Sequence, residues 1–87
     1  MKGETGMQTT KILLVEDDRL IIENLTEFLK GEGFEVQYAE GQEKAMRLLE
    51  EQEFDLILLD VTLAQGNGYS ACTQIKSRYE IPIIFLT

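Results

Sequence analysis

Leu56-Ile57-Leu58-Leu59-Asp60 sets a carboxylate directly after four consecutive aliphatic residues, and Ile12-Leu13-Leu14-Val15 runs in the same way into Glu16-Asp17-Asp18. An apolar run of four without alternation is too short for a buried helix and suits a strand covered on both faces, as in the middle of a parallel sheet. Two such strands that each release acids at their C-terminal ends would gather those acids in one crevice. In open α/β sheets that crevice is where ligands bind.

Outward from these runs, the chain alternates strand and helix patterns. The spacing predicts strands at Lys11 to Val15, Glu35 to Ala39, Leu56 to Leu59 and Ile83 to Leu86. Between them it predicts helices at about Arg19 to Lys30, Gln42 to Glu51 and Tyr69 to Arg78. Asp18 or Asp17 is placed to cap the first helix, with Ile21, Leu25, Phe28 and Leu29 on its apolar face. Gly31 and Gly33 are expected to stop it. The second helix would bury Ala45, Leu48 and Leu49, and the third Tyr69, Cys72 and Ile75. Val36 and Tyr38 alternate with polar residues, which fits a strand nearer the sheet edge. Ala64-Gln65-Gly66-Asn67-Gly68 is turn-prone, and Pro82 closes the exit loop of the third helix. Met1 to Thr10 lacks any period and is expected to be a leader that is partly foreign to the natural protein, with Met7 a plausible start.

Such β-α-β-α-β-α-β alternation means an α/β fold with an open parallel sheet. Right-handed crossovers restrict the arrangement, and if the chain steps to one side for the second strand and back across for the third and fourth, the order is 2-1-3-4 with a switch point between strands one and three. Asp60 then lies beside Glu16 and Asp17, although 43 positions separate Asp17 from Asp60.

Composition narrows the chemistry. Sixteen acidic and eight basic residues in 87 give a net charge of −8, which disfavours direct contact with nucleic acid and favours cationic partners such as a divalent metal. A single small domain hides only about 60% of its unfolded surface, so stability is expected to be modest. With one cysteine, Cys72, and no histidine, a disulfide, a Cys/His zinc site and histidine catalysis within one chain are excluded. No apolar stretch approaches the length of a membrane span, and the N-terminus lacks a secretion signal. A reducing compartment, the cytoplasm, is therefore expected. Cys72 reads as a small core residue.

Three acids in one pocket repel one another until a cation neutralises them. An oxygen-only set suits Mg²⁺, a hard ion that shares itself with phosphate oxygens. Glu16-Asp17-Asp18 could instead serve only as charge at a helix N-terminus, and Asp60 only as a turn initiator.

Lys11 to Asp18, Asp55 to Asp60, Gly66-Asn67-Gly68 and Ile81 to Thr87 together resemble the successive signatures of the receiver domain of two-component response regulators, over almost all of the chain after the leader. The resemblance implies a flavodoxin-like fold and a phosphorylation-controlled switch rather than a turnover enzyme. It implies that Asp60 accepts a phosphoryl group from a phosphohistidine on a sensor histidine kinase. It implies Mg²⁺ held by Glu16, Asp17, Asp60 and the backbone carbonyl of Thr62, with Thr87 as the hydroxyl that senses the phosphoryl group. Leu20 and Ile21 are implied as part of a kinase-docking surface, with Asp18 as a cap or a rim residue.

Two departures from the pattern stand out. Ala64 replaces a common proline, and the sequence ends at Thr87, before the fifth strand with its lysine and the last two helices. Residues 11–87 are thus expected to be the N-terminal part of a receiver domain that would control a separate DNA-binding output. Ile83-Ile84-Phe85-Leu86 would be an uncharged edge strand, so the fragment is expected to dimerise or swap elements through residues 83–87. One alternative is a receiver-like module that binds without phosphate. A remote alternative is a phosphohydrolase of the haloacid dehalogenase type, which needs an acid two positions after the nucleophile where this chain has Thr62.

Overall fold

A computed structural model describes residues 9–62 and 68–86, with backbone alone at 68 and 69. Its elements follow in the order β1 (Lys11–Val15), α1 (Arg19–Gly31), β2 (Glu35–Ala39), α2 (Gln42–Glu51), β3 (Leu56–Asp60), α3 (Gly68–Arg78) and β4 (Ile83–Leu86). The four strands form one parallel sheet in the order β2-β1-β3-β4. The order expected for a chain that reverses direction after its second strand is the one observed. Leader residues 1–8, the turn at Ala64 to Asn67, the Tyr69 side chain and Thr87 lie outside the described residues.

Alternate residues of the strands feed two cores. Leu13, Val15, Ile57 and Leu59 meet Ala45 and Leu49 of α2 and Ala71 and Ile75 of α3 on one face. On the other face Ile12, Leu14, Val36 and Leu58 meet α1 through Ile22, with Leu25 and Leu29 beside it. Both faces of β1 and β3 are thereby buried, which accounts for their unbroken aliphatic runs.

Where helix packing departs from expectation, the cause is local. On α1 the buried residue is Ile22, while Phe28 is 62% exposed and Ile21 is exposed as well. The sequence offers two overlapping apolar arcs, Ile21-Leu25-Phe28 and Ile22-Leu25-Leu29, and only the position of the sheet selects the second. Leu48 and Cys72 are packed against the edge of the core rather than buried in it, and the small Ala71 takes the buried place on α3. Gly31 is the last residue of α1 rather than its stop. The chain turns at Gly33, whose φ of 98° is the left-handed conformation that glycine adopts without strain.

Asp18 caps α1, its Oδ1 accepting from the backbone N–H of Leu20 at 3.0 Å and of Ile21 at 3.3 Å. Removing that acceptor in Asp18→Ala is expected to cost about 1 kcal/mol in urea unfolding. An unchanged midpoint would mean that water satisfies the helix end equally well.

Candidate metal and phosphoacceptor site

The register between β1 and β3 pairs Val15 with Leu59, so the residues that follow each strand position emerge together at its C-terminal end. Glu16 continues β1 by donating its N–H to the Ala39 carbonyl at the end of β2, at 3.0 Å. That bond holds Glu16 in the sheet and buries it to 3% exposure. Asp60, the last residue of β3, is 8% exposed. Asp17, one step further out, is half-buried. Carboxylate oxygens of Glu16, Asp17 and Asp60 all lie within 4.8 Å of one another.

Each buried acid is supplied with donors. Glu16 Oε2 accepts the N–H groups of Asp17 and Asp18, both at 3.1 Å. Asp60 Oδ1 accepts the Thr62 N–H at 3.0 Å and the Thr62 hydroxyl at 2.9 Å. Burial pushes Glu16 above its ordinary value of 4.5, and the neighbouring Asp60 carboxylate adds to the rise against the opposing Asp18 N–H. At Asp60 burial also acts upward, but the two Thr62 donors and a hydrogen bond from Glu16 outweigh it and hold the group below its ordinary 3.8. In the metal-free pair, Asp60 therefore ionises first and Glu16 keeps its proton longer.

These acids line a hollow of about 400 Å³ together with Asp18, Thr62, Ile21, Leu25 and Leu86. Sequence reasoning placed Glu16, Asp17, Asp60 and Thr62 there. It missed the apolar wall of Ile21, Leu25 and Leu86, and it missed the Thr62 side chain as an anchor for Asp60. An Asp-x-Thr spacing, in which a hydroxyl two residues on can reach back to the carboxylate, is the signal that could have found the second. The simpler reading of Glu16-Asp17-Asp18 as charge at a helix end holds for Asp18 alone.

An all-carboxylate, partly solvated donor set fits a hard divalent cation such as Mg²⁺ and not a soft metal. Thr62 occupies the place where a haloacid-dehalogenase-type enzyme needs its acid, and its hydroxyl is engaged as a donor to Asp60.

Comparison with known proteins agrees with this geometry. Residues 12–87 match the family described as the response regulator receiver domain. The non-phosphorylated HemR receiver domain from Leptospira biflexa is 36% identical with a TM-score of 0.82, over 91% of this chain and 64% of that one. A two-component response regulator from Clostridium difficile is 30% identical with a TM-score of 0.86, over 88% and 64% respectively. The BeF3-activated N-terminal receiver domain of Klebsiella pneumoniae RstA is 27% identical with a TM-score of 0.85, over 90% and 67%. The chain thus spans about two thirds of the length of each of these structures. A match that runs from the second residue of β1 to the end of the sequence, with the acids converging as described, shows that this chain belongs to the receiver domain family of two-component response regulators.

Proposed function

We propose that Asp60 accepts a phosphoryl group from a phosphohistidine of a sensor histidine kinase. The convergence of Glu16, Asp17 and Asp60 at the C-terminal end of β1 and β3 carries this reading. A new bond forms between an Asp60 oxygen and phosphorus, and the P–N bond of the donor breaks. The electron pair returns to the imidazole. Oδ1 is engaged by two donors from Thr62, so Oδ2 is proposed as the attacking oxygen. Thr62 thereby fixes the carboxylate plane, which is the kind of positioning on which phosphoryl transfer depends.

Glu16, Asp17, Asp60 and the Thr62 carbonyl would hold Mg²⁺, which when bound neutralises the acids and the incoming phosphoryl oxygens. Thr87 follows Leu86, which borders the hollow, and is proposed as the hydroxyl that senses the phosphoryl group. Leu20, 66% exposed, and Ile21, which is exposed and also borders the hollow, form the surface proposed to meet the kinase. A net charge of −8 repels DNA phosphates, so control of transcription would be carried by a separate domain. No helix among the described residues is long and apolar enough to cross a membrane, and the single Cys72 is a free thiol. The cytoplasm is the proposed compartment.

The test is incubation of the 87-residue chain with acetyl phosphate and Mg²⁺, read by intact mass. One phosphoryl group per chain, lost on removing Mg²⁺, is the expected result. Absence of any modification also in a chain extended through the family's fifth strand and its lysine would favour a receiver-like module that binds without phosphate.

The second proposal concerns β4, which among the described residues is the outer strand beside β3. Ile84 is 52% exposed, Phe85 is exposed too, and residues 83–86 carry no charge. Such an edge recruits another strand, whereas the β2 edge is guarded by Glu35, which pairs with Lys11. A second copy of the chain is therefore proposed to pair along β4. Sedimentation is expected to show concentration-dependent dimers that Ile84→Lys abolishes. A monomer at all concentrations removes the proposal.

A further inference from the structure

A second hollow, of about 350 Å³, lies at the opposite end of the molecule, between the C-terminal ends of α2 and α3. Its apolar part is Leu49, Phe54, Tyr79 and Ile81, and Glu53 and Glu80 stand exposed beside it. Two other glutamates near this end are paired. Glu35 meets Lys11 at 3.8 Å and Glu50 meets Arg78 at 3.3 Å. Among the described residues, no hydrogen bond or ion pair engages Glu53 or Glu80.

The backbone adds to this negative field. Helix C-termini carry partial negative charge, which a basic residue in the last turn normally offsets. The last turn of α3 contains Lys76 and Arg78, but that of α2 contains no basic residue. The α2 end at Gln52 borders the hollow with no basic residue of its own in its last turn, next to the carboxylates of Glu53 and Glu80. Phe54 is engaged from β1 by the Lys11 ammonium, 5.5 Å from its ring centroid, so the cation-binding part of the hollow is the side of Glu53 and Glu80.

We infer that this hollow docks an arginine or lysine from a basic segment of a partner protein, with the aliphatic stem against Tyr79 and Ile81 and the charged head between Glu53 and Glu80. A side chain with an apolar stem and a cationic end matches an apolar hollow with an acidic rim. The volume is at the low end for a binding site and suits one side chain rather than a large ligand. None of its residues borders the Asp60 hollow.

The probe is the tripeptide Ac-Leu-Arg-Leu-amide, titrated into the isotope-labelled 87-residue chain while backbone amide shifts are followed. Saturable shifts at residues 52–54 and 79–81 are expected, weakened about tenfold or more in the E53Q/E80Q double variant and in the citrulline version of the peptide. Glu43→Gln, on the exposed outer side of α2, is expected to leave the binding unchanged. Both glutamates are exposed, so thermal unfolding should show the double variant folded as the wild type is. Shifts at other residues, or equal affinity for arginine and citrulline peptides, would overturn the inference.

Discussion

Asp60→Asn is expected to abolish phosphorylation by acetyl phosphate completely and, in the absence of Mg²⁺, to make the protein more stable. Loss of the label follows because an amide oxygen is no nucleophile for phosphorus at neutral pH, and no other carboxylate in the hollow is presented in the same way. Glu16 Oε2 is tied to two backbone N–H groups, and Asp17 stands further out of the sheet. The gain in stability has a separate origin. Two buried carboxylates share the site at a separation that raises Glu16, so the wild-type fold is opposed by their repulsion whenever both are charged. Asparagine keeps an Oδ1 acceptor for the two Thr62 donors and offers Glu16 an N–H in place of a negative charge. A rise of about 1 kcal/mol, the scale of one pKa unit, is expected in urea unfolding. Label retained at wild-type level in the variant would move the acceptor elsewhere. A stability loss would show that the amide disrupts the Thr62 bonds rather than relieving the charge.

Much of this site is written in the two aliphatic runs. Because β1 and β3 are buried on both faces they read as continuous apolar segments, and once they are adjacent and parallel the acids that end them have to converge. The aliphatic runs alone leave open how deeply each of those acids is buried, although the capping preference and the family resemblance already separated Asp18 from Glu16 and Asp17. Glu16, Asp17 and Asp18 are consecutive and chemically alike. All three border the hollow, but Glu16 is buried where its N–H bonds the Ala39 carbonyl, Asp17 stands further out, and Asp18 caps α1. That separation depends on where β2 ends, a tertiary fact with no local signature. The same holds for α1, where Ile21 and Ile22 compete for the core and the sheet decides. It holds also for Leu86, which borders the acids only because β4 pairs with β3 in the register that sets Leu86 beside Asp60.

Mg²⁺ is expected to stabilise this protein strongly, and by an amount that grows with pH. Consider the metal-free chain first. Asp60 lies below its ordinary 3.8, so its contribution is present above that value and is lost as pH falls through the lower folded-state value. Glu16 lies above its ordinary 4.5, so its contribution is full below 4.5 and is lost as pH rises through the higher folded-state value. From this pair alone, stability should peak between 3.8 and 4.5 and decline above. A divalent cation reverses the decline. It requires both carboxylates charged, so it displaces the proton that Glu16 retains, and its affinity increases with pH from about 4.5 upward. At a free concentration a hundred times its dissociation constant, bound Mg²⁺ adds about 2.7 kcal/mol, which in a domain of this size shifts the melting temperature by on the order of 10 °C. The measurement is thermal unfolding from pH 4 to pH 8 with and without Mg²⁺, alongside Asp17→Asn. The gap between the two curves should open with pH in the wild type and shrink sharply in the variant. A Mg²⁺ shift that is constant across that range, or that survives in Asp17→Asn, would place the cation outside the Glu16-Asp17-Asp60 cluster and detach the metal from the phosphoryl chemistry proposed for it.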